Sequence, residues 1–167
     1  PPGAQDTAAV LALLVRTMDL LTDYELKYNI EYVPFNGEEY FGATEELTYI
    51  YDGKQRNENP ELVINMDCPG HIGSKIAVST YNLDSSIIEV LDNLYTEHPY
   101  IAKGPEWYSG DHAIYSLNGL QCIAIASMDF YDGGLEDAHT QNDTLDTVDC
   151  NLLEYGAKFL AELLKEL

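Results

Sequence analysis

Gln121-Cys122-Ile123-Ala124-Ile125-Ala126 is a short, almost wholly apolar run bounded by Leu120 and by the polar stretch that follows Ser127. Such a run reads as a strand covered on both faces, because a strand with one wet face would alternate apolar and polar side chains. Working outward, Glu61–Met66 (ELVINM) reads as a second buried strand, Lys75–Ser79 as a third, and Lys27–Phe35 as an alternating strand with Tyr28, Ile30 and Tyr32 on one parity. Between them lie helical patterns: a dense apolar stripe over Ala8–Leu21, a helix over Glu38–Tyr51, one over Ser85–Thr96 with Asp84 as its N-cap, and a short one over Asp111–Leu117. Tyr100–Trp107 is expected to be irregular or extended. The chain ends in an amphipathic helix over Asp146–Leu164, whose apolar side carries Leu152, Leu153, Phe159, Leu160 and Leu163. Strands interleaved with helices predict an α/β fold, a three-layer α/β/α sandwich around a mostly parallel mixed sheet. No repeat or linker divides the chain, so residues 1–167 are expected to form a single domain.

The 167 residues include 46% hydrophobic, 11% aromatic and 22% charged side chains, which is the composition of a folded globular chain. Charge is lopsided. There are 29 Asp and Glu against 8 Lys and Arg, a net charge of -21, with arginine only at Arg16 and Arg56. Such a surface repels phosphate backbones and anionic lipid, so nucleic-acid and membrane-surface functions are disfavoured, whereas metal cations and the ammonium ends of peptides are attracted. No signal-peptide pattern is present in the sequence, and the compartment stays open. Cys68, Cys122 and Cys150 cannot all pair and show no Cys-x-x-Cys spacing, which argues against a disulfide framework or a cysteine zinc site.

In open α/β sheets, functional groups gather where strands end and loops begin. Asp6 opens the first helix after Pro2-Gly3-Ala4, Glu38 and Glu39 follow Phe35-Asn36-Gly37, Asp67 ends ELVINM, and His139 lies in the polar loop after QCIAIAS. Carboxylates with one imidazole form a donor set suited to zinc, manganese or cobalt. Taken singly, these residues also have plain structural readings. Asp6 reads as an N-cap, Glu38 and Glu39 as acids favoured in a first helical turn, and Asp143 as a cap or turn residue. His71 reads as an exposed loop histidine and His98, before Pro99, as a surface residue, while Cys68 reads as an inert neighbour of Asp67.

Five segments together resemble the zinc aminopeptidases of the M28 peptidase family, di-zinc exopeptidases related to bacterial leucyl aminopeptidases. They are Pro2-Gly3-Ala4-Gln5-Asp6-Thr7, Phe35-Asn36-Gly37-Glu38-Glu39, Ile64-Asn65-Met66-Asp67, Ser109-Gly110-Asp111-His112 and His139-Thr140-Gln141-Asn142-Asp143-Thr144. The resemblance implies a zinc-exopeptidase fold of the phosphorylase/hydrolase-like type. It also implies that Asp6 bridges two zinc ions, that Glu39 and His139 complete one site, that Asp67 belongs to the other, and that Glu38 is the general base. Tyr108, Asp111 and His112 become candidates for substrate contact or for supporting the site. A cis peptide after the bridging aspartate is a further family feature, here the Asp6–Thr7 bond.

The implied function is a metal-dependent aminopeptidase that hydrolyses the N-terminal bond of peptides with a free N-terminus, through a metal-activated water and a glutamate base. Two alternatives stand beside it: a glutaminyl-cyclase-like acyltransferase with a single zinc held by Asp6, Glu39 and His139, and a catalytically inactive binding domain of the same fold. The family places one more histidine ligand, in a His-x-Asp segment, ahead of the Pro-Gly-Ala-x-Asp motif, together with upstream strands of the sheet. Because Pro1 lies five residues before Asp6, the native polypeptide is expected to be longer and this chain to hold one zinc or none.

Overall fold

The computed structural model describes residues 2–35, 44–55 and 60–167. Its centre is a four-stranded sheet built from β1 (Val63–Met66), β2 (Ile76–Tyr81), β3 (Ile101–Lys103) and β4 (Cys122–Ser127), in the spatial order β1-β4-β2-β3. β1 runs parallel to β4, with Val63 opposite Cys122, and β2 runs parallel to β3. β2 and β4 are antiparallel, with Ile76 opposite Ser127 and Tyr81 opposite Cys122. The sheet is therefore mixed and mostly parallel, and the quoted run of residues 121–126 supplies one of its two inner strands.

Every residue of β4 is buried, and its two parities serve two different cores. Ile123 and Ile125 join Ile76 and Val78 in a layer covered by α1 (Val10–Leu21), α3 (Ser85–Glu97) and α6 (Cys150–Glu166). Cys122, Ala124 and Ala126 face the other way with Tyr81, where their small side chains accommodate Trp107, Tyr115 and Phe130. That second layer is completed by α4 (His112–Leu117) and by Tyr49 and Ile50 of α2 (Thr44–Gln55). Helices on both faces make the three-layer α/β/α sandwich.

The long terminal helix α6 is the spine of the first layer. Asp149 caps it, its carboxylate accepting from the backbone N–H groups of Asn151 and Leu152. The regular helix thus starts at Cys150, four residues later than the apolar pattern alone predicts, because the cap satisfies the free N–H groups there. At Gly156 α6 touches both the sheet and α1: a Cβ there would lie 2.6 Å from Ile76 Cδ1 and 3.0 Å from Leu13 Cδ1. Arg16 on α1 reaches across to Glu154 on α6 at 2.8 Å, and this pairing holds the Glu154 carboxyl down at about 2.

Four expectations need correction. Residues 27–35 form no strand: the alternation is real, but the segment pairs with no strand among the described residues, and Tyr28 is exposed. Alternation supplies a face without supplying a partner. His98 is not on the surface: its side chain is 12% exposed, meets Glu162 at 2.7 Å and sets its ring edge-to-face on Phe159. His71 is largely buried and bonded to Asp129 at 2.7 Å. Asp84 occupies the N-cap position of α3 with an extended backbone, but its side chain makes no capping bond. Within residues 100–107, Ile101–Lys103 pairs with β2 as the outer strand β3. No described helix is long and apolar enough to cross a membrane.

Candidate metal centre

The carboxyl ends of the parallel neighbours β1 and β4 point to one edge of the sheet, and Asp67 there meets Asp6, which also meets His139. Asp67 directly follows β1, its N–H still donating to the Ile125 carbonyl at 2.9 Å as though the ladder continued. Cys68 then takes a left-handed backbone (φ 43°) that carries the chain out of the sheet, and its carbonyl accepts from the Ser127 hydroxyl at 2.7 Å. Asp67 is thereby held at a fixed corner between two anchored residues.

Asp6 reaches the same place from the opposite direction in sequence. The segment Ala4–Ala9 is a wound turn ahead of α1 in which Asp6 alone is extended (φ -117°, ψ 92°). Gly3, at φ 72°, starts the turn in a conformation that side chains resist, and a Cβ there would sit 3.1 Å from the Asp6 carbonyl oxygen. Asp6 accordingly does not act as an N-cap. One carboxylate oxygen accepts from Thr7 Oγ1 at 2.6 Å, and the other lies 2.7 Å from His139 Nε2. The Asp6–Thr7 peptide is cis.

Donor atoms of Asp6, Asp67 and Cys68 all lie within 4.8 Å of one another. Asp6 is thus shared between two groupings, one with His139 and one with Asp67 and Cys68. The Cys68 thiol is pushed far up, chiefly by burial and further by the neighbouring carboxylates Asp67 and Asp6, so it stays protonated and neutral beside the oxygen donors. Two carboxylates and an imidazole are the oxygen and nitrogen donors at this edge, with the Cys68 sulfur beside them. That set fits a zinc ion, which takes imidazole nitrogen and carboxylate oxygen as ligands. Glu38 and Glu39 lie outside the described residues.

The other candidates form a neighbouring cluster. His112 is fully buried, with Nε2 2.8 Å from the Trp107 carbonyl oxygen and Nδ1 3.3 Å from Asn65 Nδ2. A carbonyl can only accept and the amide nitrogen can only donate, so His112 carries its proton on Nε2. Burial lowers its pKa, opposed only by the bond to Trp107, and the ring stays neutral. Through Asn65, two residues before Asp67, it supports β1 rather than presenting a nitrogen to the centre. Asp111 precedes α4, and Gly110 beside it is packed so closely that a Cβ would fall 2.9 Å from the Trp107 ring. Tyr108 is half-exposed, its hydroxyl donating to Glu106 at 2.8 Å and its ring meeting Tyr81 edge-on.

Sequence reasoning missed Asp143. A turn residue is ordinarily wet, yet Asp143 is completely buried and accepts from the backbone N–H groups of Gln5 at 2.6 Å and Asp6 at 3.3 Å. Its only trace in the sequence is its position four residues after His139 in a polar run. Gln5, also completely buried, left no trace at all.

Comparison with known proteins agrees with this architecture. No individually curated protein sequence matches the chain. Among solved structures, the Legionella pneumophila LapA aminopeptidase superposes with a TM-score of 0.82 at 18% identity over 99% of this chain and 47% of its own. The zinc aminopeptidase BSAP from Bacillus subtilis follows at 0.76 and 17% identity, over 98% of this chain and 42% of its own. The glutaminyl cyclase of Porphyromonas gingivalis gives 0.71 and 20% identity, over 98% of this chain and 66% of its own. These likenesses concern the fold, and the chain spans about half the length of the aminopeptidases it matches. The model of Peptidase family M28 matches residues 1–164, nearly the whole sequence, and the chain belongs to that family.

Proposed function

We propose that this chain is the metal-carrying part of a zinc aminopeptidase acting on peptides with a free N-terminus. The observation that supports it most is the sharing of Asp6 between His139, at 2.7 Å, and the Asp67 corner, at the ends of two parallel strands. One carboxylate placed between two donor groups is the arrangement a bridging ligand requires. In this reading Asp6, Glu39 and His139 hold one ion and Asp6 with Asp67 contributes to a second. Thr7 Oγ1 restrains the Asp6 carboxylate, and Ser127 restrains the corner at Cys68.

Zinc, when bound, supplies Lewis acidity to the scissile carbonyl and to the attacking water. The protein's part is proton movement and orientation. A Glu38 carboxylate oxygen takes the proton from the attacking water and passes it to the departing amine nitrogen. The strongly acidic chain favours a substrate ammonium group at the site, a field effect that salt weakens. In this reading the half-exposed Tyr108 contacts the substrate.

The second reading is a glutaminyl-cyclase-like acyltransferase with one zinc on Asp6, Glu39 and His139. It is favoured by the direct Asp6–His139 contact, which needs no second ion. The deciding experiment measures zinc per chain, hydrolysis of an aminoacyl anilide and cyclisation of an N-terminal glutamine peptide on the same preparation. Glu38→Gln should retain zinc and fold and lose orders of magnitude in turnover, whereas Glu39→Gln should weaken zinc binding itself. Hydrolysis undiminished in Glu38→Gln removes the base assignment, and cyclisation without hydrolysis selects the second reading.

A further inference from the structure

Three backbone N–H groups in a row converge on one residue far away in sequence. Ala4 N–H donates to the Asp143 carbonyl at 3.3 Å, Gln5 N–H to one carboxylate oxygen of Asp143 at 2.6 Å, and Asp6 N–H to the other at 3.3 Å. Asp143 is completely buried, so these contacts replace water rather than compete with it. The Gln5 side chain is fastened to the same stretch of chain, its Nε2 donating to the Gly134 carbonyl at 3.1 Å. His139, which contacts the Asp6 side chain, lies between Gly134 and Asp143 and takes a left-handed backbone at φ 60°.

We propose that Asp143 is a positioning residue that clamps the Asp6 loop to the His139 loop and so aims the Asp6 carboxylate. The extended backbone of Asp6 inside a wound turn exposes its N–H and that of Gln5 to the same side, and a two-oxygen acceptor satisfies both at once. An asparagine in that place has one oxygen and one N–H2 group. It would set a donor against a donor at nearly unchanged volume, expelling one amide directly and opening the turn that holds the other. Because Asp143 is buried and bonded to the backbone N–H groups of Ala4, Gln5 and Asp6, its effect on a metal passes through the backbone of Asp6. The assignment rests on the reading of Asp6 as a metal ligand for its consequence, though not for the clamp itself.

The test combines amide hydrogen exchange in the metal-free chain with titration by cobalt(II), whose visible absorption reports the number and geometry of donors. The Gln5 and Asp6 amides should be protected in the wild-type chain, and in Asp143→Asn both should exchange at least about tenfold faster while amides of β4 stay protected. Cobalt affinity should fall by about 10–100-fold, the range for residues that orient ligands, with an altered absorption band. A merely structural role would lower the unfolding temperature and leave the band unchanged. Should Asp143→Asn not fold, the wild-type exchange alone decides, since rapid exchange of Gln5 and Asp6 amides overturns the clamp. Unchanged cobalt affinity and band in a folded Asp143→Asn chain overturns the positioning role. A wild-type chain that takes up no cobalt, yet loses protection at Gln5 and Asp6 on substitution, upholds the clamp and refutes the metal reading instead.

Discussion

The His112 imidazole donates from Nε2 to the Trp107 carbonyl oxygen at 2.8 Å, a bond buried completely within the aromatic layer beneath the candidate site. Burial, more than this bond, sets its titration and lowers its pKa below the ordinary 6.5. The unfolded chain therefore binds a proton at higher pH than the folded one. Stability from this group is complete above pH 6.5 and declines as the pH falls below it. Urea unfolding of the wild type and of His112→Gln at stepped pH should show a gap that narrows on acidification below 6.5. A gap that widens there would contradict a buried, neutral ring.

Arg16 and Glu154 carry a linkage of the same sign, set at lower pH. The guanidinium holds the Glu154 carboxyl at about 2, below its usual 4.5, so the pair's contribution is complete above pH 4.5 and is lost as the pH falls through 2. Both side chains are more than a third exposed, and salt will screen the attraction. Glu154→Gln should lower the urea midpoint slightly at neutral pH in low salt. The difference should vanish in 1 M salt or near pH 2.

Gly156→Ala tests the contact between α6, α1 and the sheet. The added methyl would meet Ile76 and Leu13, both buried and without room to move. Overpacking of this kind costs about 1–3 kcal/mol. Chemical denaturation should register that loss, whereas Gly119→Ala, whose Cβ meets nothing within 4 Å, should show only the strain of its positive φ.

Zinc addition and removal give the most direct check on the centre. A ligand that binds only the folded chain stabilises it by about 2.7 kcal/mol at one hundred times its dissociation constant. Differential scanning calorimetry should therefore show a rise in unfolding temperature with zinc that a chelator reverses. The rise should be absent in Asp6→Ala and reduced in His139→Ala. An equal rise in all three proteins would place the metal elsewhere.

The sequence disclosed elements whose signals are short-ranged. Continuous apolar runs marked β2 and β4 because both their faces are covered, and also β1, which is only half-buried at the side of the described sheet; the 3.6-residue stripe marked α1 and α6 because each lies on one layer. Residues 27–35 deceived because a strand exists only through its neighbour, which alternation does not specify. The nearness of Asp6 to both Asp67 and His139 was legible from where these candidates stand relative to strands and helices. Asp143 was not, since its role depends on meeting Gln5 and Asp6 across 138 and 137 residues of chain. His98 was misread because its cover comes from Phe159 and Glu162 on a distant helix.

The three thiols divide sharply by environment. Cys68 and Cys122 are buried, and burial raises both pKa values, that of Cys122 to about 12, so neither offers a thiolate to a reagent near neutral pH. Cys150, the first residue of α6, is exposed. The unaltered chain therefore carries one addressable handle for a maleimide dye or a spin label, at the start of the longest described helix. Fluorescence or electron resonance can follow the protein from there without any engineered cysteine, and with the candidate metal donors left unmodified.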